Sequence, residues 1–268
     1  MKSTSRPAAD GLWLFFGLTF AFTWLLWILV AASGMTSKTF PGALLYILGG
    51  FGPSLAAVVL VFRFLTAAER RDFWRRIVNF REISPAWYAL IFLGLPLTLV
   101  LSILVSGLLG SEPPGYDALK AIAAQPVELL PLLIVGILGG PLAEELGWRG
   151  FALDRMVRRW GWLPATLILA VIWWVWHLPL FFIPGTTQHA WGVFTPEFFI
   201  FALNIVPLSV LLAMAYLRNH RSILAAVLVH FLFNFLLSLV YPVGTSVLLY
   251  WCLFLWIFAA GLLVLAKK

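Results

Sequence analysis

The sequence predicts an all-α polytopic membrane protein with about eight transmembrane helices. Its 268 residues are 62% hydrophobic and only 11% charged, with a mean hydropathy of +0.99, whereas a soluble domain carries roughly 25% charged residues. The apolar residues are gathered into uncharged runs of about 20 residues, each long enough to cross roughly 30 Å of hydrocarbon as a helix. The basic residues fall between these runs, where headgroups and water can solvate them.

Taken in order, the first run, Gly11 to Ala32, is longer than the roughly 7–15-residue apolar region of a signal peptide. It also lacks a clear small-residue cleavage site beyond Val30-Ala31-Ala32, so a retained first helix is expected. The second run extends from Pro41 to about Phe62 and the third from Pro85 to about Gly110. Between them Phe73, Trp74, Ile77 and Val78 recur at helical spacing beside Arg70, Arg71, Arg75 and Arg76. This pattern predicts a short amphipathic helix lying in the headgroup plane. Ser111 to Gln125, with Pro113, Pro114 and Gly115, reads as a polar loop. The fourth helix begins near Pro126 and passes the interruption Gly139-Gly140-Pro141, which loosens its backbone ladder. The fifth spans about Trp162 to Phe182, and Ile183 to Glu197 reads as a loop. Helices six to eight span about Phe198 to Leu217, Ser222 to Val240 and Val243 to Ala266. No internal repeat is visible, so residues 1–268 read as a single transmembrane domain without inverted-repeat transporter architecture.

Eight helices place both termini on one side. That side then collects Lys2, Arg6, Arg63, Arg70, Arg71, Arg75, Arg76, Arg81, Arg149, Arg155, Arg158, Arg159, Arg218, Arg221, Lys267 and Lys268, leaving Lys38 and Lys120 opposite. The positive-inside rule puts such a side, and both termini, in the cytoplasm. The expected location is the inner (plasma) membrane of a bacterium, with anionic headgroups as partners. The formal charge of +7 is explained by this distribution and gives no support to nucleic-acid binding. The single cysteine, Cys252, excludes an internal disulfide.

Against this background the segment Pro141-Leu-Ala-Glu-Glu-Leu-Gly-Trp-Arg-Gly150 is anomalous. A charge near mid-membrane costs at least about 2.5–3.5 kcal/mol, so intramembrane carboxylates mark a functional site. Glu144 and Glu145 point about 100° apart on a helix, while Glu145 and Arg149 share one face at a spacing of four. Two arrangements follow: Arg149 holds Glu145 while Glu144 turns to a cavity, or all three form one structural ion cluster. His177 and His230 are the only histidines within predicted spans, and Asn234 lies four residues beyond His230. Each alone can serve as an interhelical hydrogen bond. Together, a Glu, two His and an Asn supply what is needed to activate a water and stabilise an oxyanion.

Glu144-Glu145-x-x-x-Arg149, Trp173-x-x-x-His177 and His230-x-x-x-Asn234, in that order on separate helices, resemble the motifs of the CPBP intramembrane proteases. That family includes the type II CAAX prenyl endopeptidases and bacteriocin-processing or self-immunity proteins (Abi family). The resemblance covers roughly Pro126 to Val240. It departs at Trp173, where the family often has Phe, a change expected to leave the chemistry untouched. The resemblance implies intramembrane endoproteolysis at a site opening toward the cytoplasm. By position Glu144 would be the base, His177 would help hold the water, and His230 and Asn234 would donate to the oxyanion. Glu145, Arg149 and Trp173 would support them. The substrate would be a peptide or protein, prenylated or membrane-embedded. Two mechanisms fit: a zinc ion held by Glu144, His177 and His230, or a metal-free glutamate mechanism, favoured by the lack of an HExxH motif. Outside proteolysis, an immunity factor acting by binding or a proton or ion transporter using the Glu pair are the alternatives. One tension stands. If the fourth helix ended near Arg149, His177 would lie about 20 Å along the fifth helix, deeper than Glu144.

Overall fold

In a hydrocarbon layer every backbone donor and acceptor must be satisfied within the chain, and helices do this segment by segment. The computed structural model describes residues 11–265. Among these there is no strand, and the helices stand as an all-α polytopic membrane bundle. The helices are α1 (Leu12–Ala32), α2 (Gly42–Gly50), α3 (Gly52–Phe64), α4 (Ala67–Val78), α5 (Pro85–Leu108) and α6 (Asp117–Ala124). They continue as α7 (Pro126–Trp160), α8 (Trp162–Phe182), α9 (Pro196–Arg218), α10 (Ile223–Val240) and α11 (Thr245–Leu265). Seven of these are long and apolar enough to cross a membrane singly, and α2 with α3 form an eighth, broken span bent by 47°. Lys2, Arg6, Lys267 and Lys268, used above to orient the chain, lie outside the described residues.

Polar residues set many of the starts. Thr66 and Glu69 close a capping box on α4, with Glu69 Oε2 accepting the Thr66 amide at 2.8 Å. Ser84, Thr195 and Ser222 cap α5, α9 and α10 through their hydroxyls. Gly161, at φ +76°, lets the chain reverse between α7 and α8.

Three expectations need correction. Asp117–Ala124 is helical inside the stretch read as a loop, and a short helical turn, Thr187–Trp191, interrupts the loop after α8. Their runs are too short for periodicity to separate from connection. The helix expected in the headgroup plane also docks onto the bundle: Phe73 and Arg76 of α4 are buried, and Arg76 Nη1 donates to Tyr216 Oη at 2.6 Å. Finally α7 does not end after the Glu pair but runs for 35 residues, about 50 Å at 1.5 Å per residue. This removes the depth conflict between Glu144 and His177, because Glu144 then lies near the middle of α7.

The core is aromatic. Trp27, Trp148, Trp173, Trp176 and Trp251 are among its largest fully buried side chains, and Trp148 meets Phe15 and Trp176 edge-on at 5.6 and 5.7 Å. Outward-facing residues are also apolar, Leu25 being 71% and Leu93 69% exposed, as a lipid-facing surface requires. α9 is the most enclosed span and packs against α8, α10 and α11. α3 lies close against α7, where a Cβ at Gly147 would stand 2.6 Å from the Pro53 carbonyl carbon.

Candidate active site

Pro141 lacks the N–H that would bond one turn back, and Leu138–Leu142 widens into a π-helical turn around it. Neighbouring polar groups compensate: Ser54 of α3 donates its hydroxyl to the Leu142 carbonyl at 3.0 Å. The widened turn delivers Glu144 to the wall of a cavity of about 650 Å³, while Glu145 turns away into the packed core. His177 ends the regular part of α8, because Pro179 turns the next residues into a 3-10 coil. His230 and Asn234, four apart on α10, share one face and line the same cavity. Glu144, Trp173, His177, His230 and Asn234 from three helices thus border one space.

The division of labour between the paired glutamates follows the first of the two sequence readings. Glu145 and Arg149 are fully buried, with Arg149 Nη1 2.9 Å from Glu145 Oε1. Arg149 Nη2 reaches Ser209 Oγ of α9 at 3.0 Å. The same Glu145 oxygen lies 2.8 Å from His230 Nδ1. A carboxylate paired with a guanidinium accepts, so Nδ1 carries the proton and Nε2 is the free nitrogen. His177 is fixed likewise: its Nδ1 lies 2.7 Å from the Trp173 carbonyl, which can only accept, leaving Nε2 as the free nitrogen.

Trp173 is more than a support. Its indole N–H donates to Glu144 Oε2 at 2.7 Å, and the Arg149 guanidinium sits 4.5 Å from its ring centroid. The rings of His177 and His230 meet it edge-on at 5.5 and 5.3 Å. A phenyl ring at this position would have no donor for Glu144. Oε1 of Glu144 and Nδ2 of Asn234 both lie beside Gly140: a Cβ there would stand 3.8 Å from the first and 3.5 Å from the second.

Two lining residues escaped the sequence reading. Asn204 of α9 is buried on the cavity wall, and Tyr46 of α2 faces it from across the bundle. Asn204 was legible as the only polar side chain between Glu197 and Ser209; Tyr46 carries no such signal. The zinc set of Glu144, His177 and His230 does not form: among the described residues no three His, Cys, Asp or Glu side chains stand where they could hold one ion. Residues of this site supply donors and acceptors arranged around one cavity. The cavity reaches Lys38, Gln188 and Tyr241, in connections at the end of the bundle away from the arginines.

Residues 126–236 match a family model described as Type II CAAX prenyl endopeptidase Rce1-like. The chain is 28% identical over 226 residues to CAAX prenyl protease 2 of Methanococcus maripaludis, a match covering 82% of each chain. Glu144, Trp173, His177, His230 and Asn234 all fall inside the matched segment.

Proposed function

From the match of residues 126–236 to the Rce1-like type II CAAX prenyl endopeptidase family model, we propose that this integral membrane protein is an intramembrane endopeptidase using a glutamate-activated water. The observation that carries this reading is Glu144, held through one carboxylate oxygen by Trp173 and facing the cavity shared with His177, His230 and Asn234.

Glu144 Oε1 takes a proton from a water whose other hydrogen is held by His177 Nε2. The resulting hydroxide attacks the scissile carbonyl carbon. Asn234 Nδ2 donates to the developing oxyanion, together with His230 Nε2, which carries a proton when the ring is an imidazolium. The proton held by Glu144 then passes to the leaving amine as the C–N bond breaks, restoring the carboxylate.

The test is a purified, reconstituted sample given prenylated and unprenylated peptides, alongside Glu144→Ala and His230→Ala. Each variant should lose activity by about 100-fold or more, the usual weight of a general base or an oxyanion donor. Cleavage undiminished in both would sink the assignment. Chelator treatment should leave the wild-type rate unchanged; loss on chelation and return with zinc would replace the metal-free route.

A further inference from the structure

The cavity lies toward one end of the bundle and reaches Glu144, Leu208 and His230 near mid-helix. Tyr46 on α2, Val135 on α7, His177 on α8, Asn204 on α9, Asn234 on α10 and Leu248 on α11 each lie in the part of the helix nearer one common end. Three connections at that end contribute Lys38, Gln188 and Tyr241 to its lining, and the exposed Ile47 and Val135 line it from the helix flanks. Beyond Glu144 on α7, Trp173 on α8, His230 on α10 and Trp251 on α11, toward the other end, these helices contribute nothing to it and are packed with side chains such as Phe151, Leu169 and Ala226.

The opposite end is the arginine-rich one. Of the thirteen described Lys and Arg residues outside the site, eleven flank that end, on α3, α4, the α4–α5 turn, the end of α7 and the α9–α10 turn. Only Lys38 and Lys120 lie at the cavity end. Short basic connections stay in the cytoplasm during insertion, so charge and cavity point to opposite sides of the membrane.

We infer that the site takes its substrate from the non-cytoplasmic side, as an exported peptide chain, and not as a tail made and held in the cytoplasm. This rests on the endopeptidase reading for what happens to the chain, but not for where it enters. A cavity bordered by connections on the far side admits a polar backbone without carrying it across the packed, arginine-rich end, where each unpaired peptide group would cost several kcal/mol.

Cys252 is the only cysteine, so Cys252→Ala gives a background for single labels. Gln188→Cys at the cavity end and Ala68→Cys on α4 are to be treated with a membrane-impermeant maleimide in intact bacterial cells and again after permeabilisation. Gln188→Cys should label in intact cells, and Ala68→Cys only after permeabilisation. The reverse pattern, or labelling of Ala68→Cys in intact cells, overturns the inference. A second arm places one cleavable segment on the exported or the cytoplasmic side of a membrane-anchored reporter, and cutting of the exported copy alone is expected. Cutting of the cytoplasmic copy overturns the inference. Loss of cutting on both sides with the expected labelling counts against the endopeptidase reading, while the side of access stands on the labels.

Discussion

Trp173 concentrates what the individual residues do. Its ring is packed by Arg149 and two histidines, and its one polar atom fixes Glu144. Trp173→Phe keeps most of the ring and removes only the donor. A hydrogen bond to a charged group is worth about 1.5–3 kcal/mol, so kcat should fall by about 10- to 100-fold with KM and melting temperature little changed. An unaltered kcat would show that Glu144 needs no such tether. Arg149 offers the opposite case. Its charge is fully buried between Glu145, Ser209 and the Trp173 face, and removing one member of a buried pair costs about 3–5 kcal/mol. Arg149→Leu should therefore lower thermal stability in detergent sharply, and a wild-type melting curve would refute that account. These residues were legible because charges and histidines are rare in such helices. The Trp173–Glu144 and His230–Glu145 bonds were not, since they depend on how three helices turn toward one another.

Among the elements, α4 shows how an interfacial helix is held in place. Backbone and side-chain bonds from Thr66 hold the Glu69 carboxyl below its usual range. The Asp72 carboxyl is raised by partial burial but lowered further by Arg75, Arg76 and Arg221, and ends below its usual value. A carboxylate with a depressed folded-state pKa stabilises the fold fully above its unfolded pKa and loses that contribution as pH falls through the lower, folded value. Acidification below about pH 4 should thus release α4 and expose the Arg70-Arg71 bond to added protease. Thr66→Ala should weaken the cap by about 1 kcal/mol and bring that exposure on at higher pH; identical digestion profiles across pH would contradict it. The sequence showed the amphipathic pattern of α4 but not its docking, because the polar partners Tyr216 and Arg221 lie about 140 residues away. The end of α7 was hidden for a related reason. Asp154, Arg155, Arg158 and Arg159 look like the close of a span, yet the helix continues through them to Trp160 at the headgroup level.

The whole molecule divides into a hollow half that carries the site and a packed half that carries stability. Function and stability should therefore respond separately to the same substitution made at two levels of one helix. Gly140 and Gly147 stand seven residues apart on α7. A Cβ at Gly140 projects toward the cavity at ordinary contact distance from Asn234 and Glu144, with nothing closer than 3.5 Å. At Gly147 the same atom would press on the Pro53 backbone at 2.6 Å, and backbone cannot swing aside as a side-chain tip can. Gly140→Ala should leave the melting temperature near wild type while narrowing the space for water and the peptide carbonyl, with a loss in kcat/KM of about ten-fold or more, since misplacement by an ångström can cost about 100-fold. Gly147→Ala should instead separate α3 from α7 at a cost of about 1–3 kcal/mol, seen as a lower melting temperature, with the remaining folded fraction cleaving at close to the wild-type rate. If both variants lost stability and activity together, the bundle would be acting as one cooperative core and the division into halves would fail.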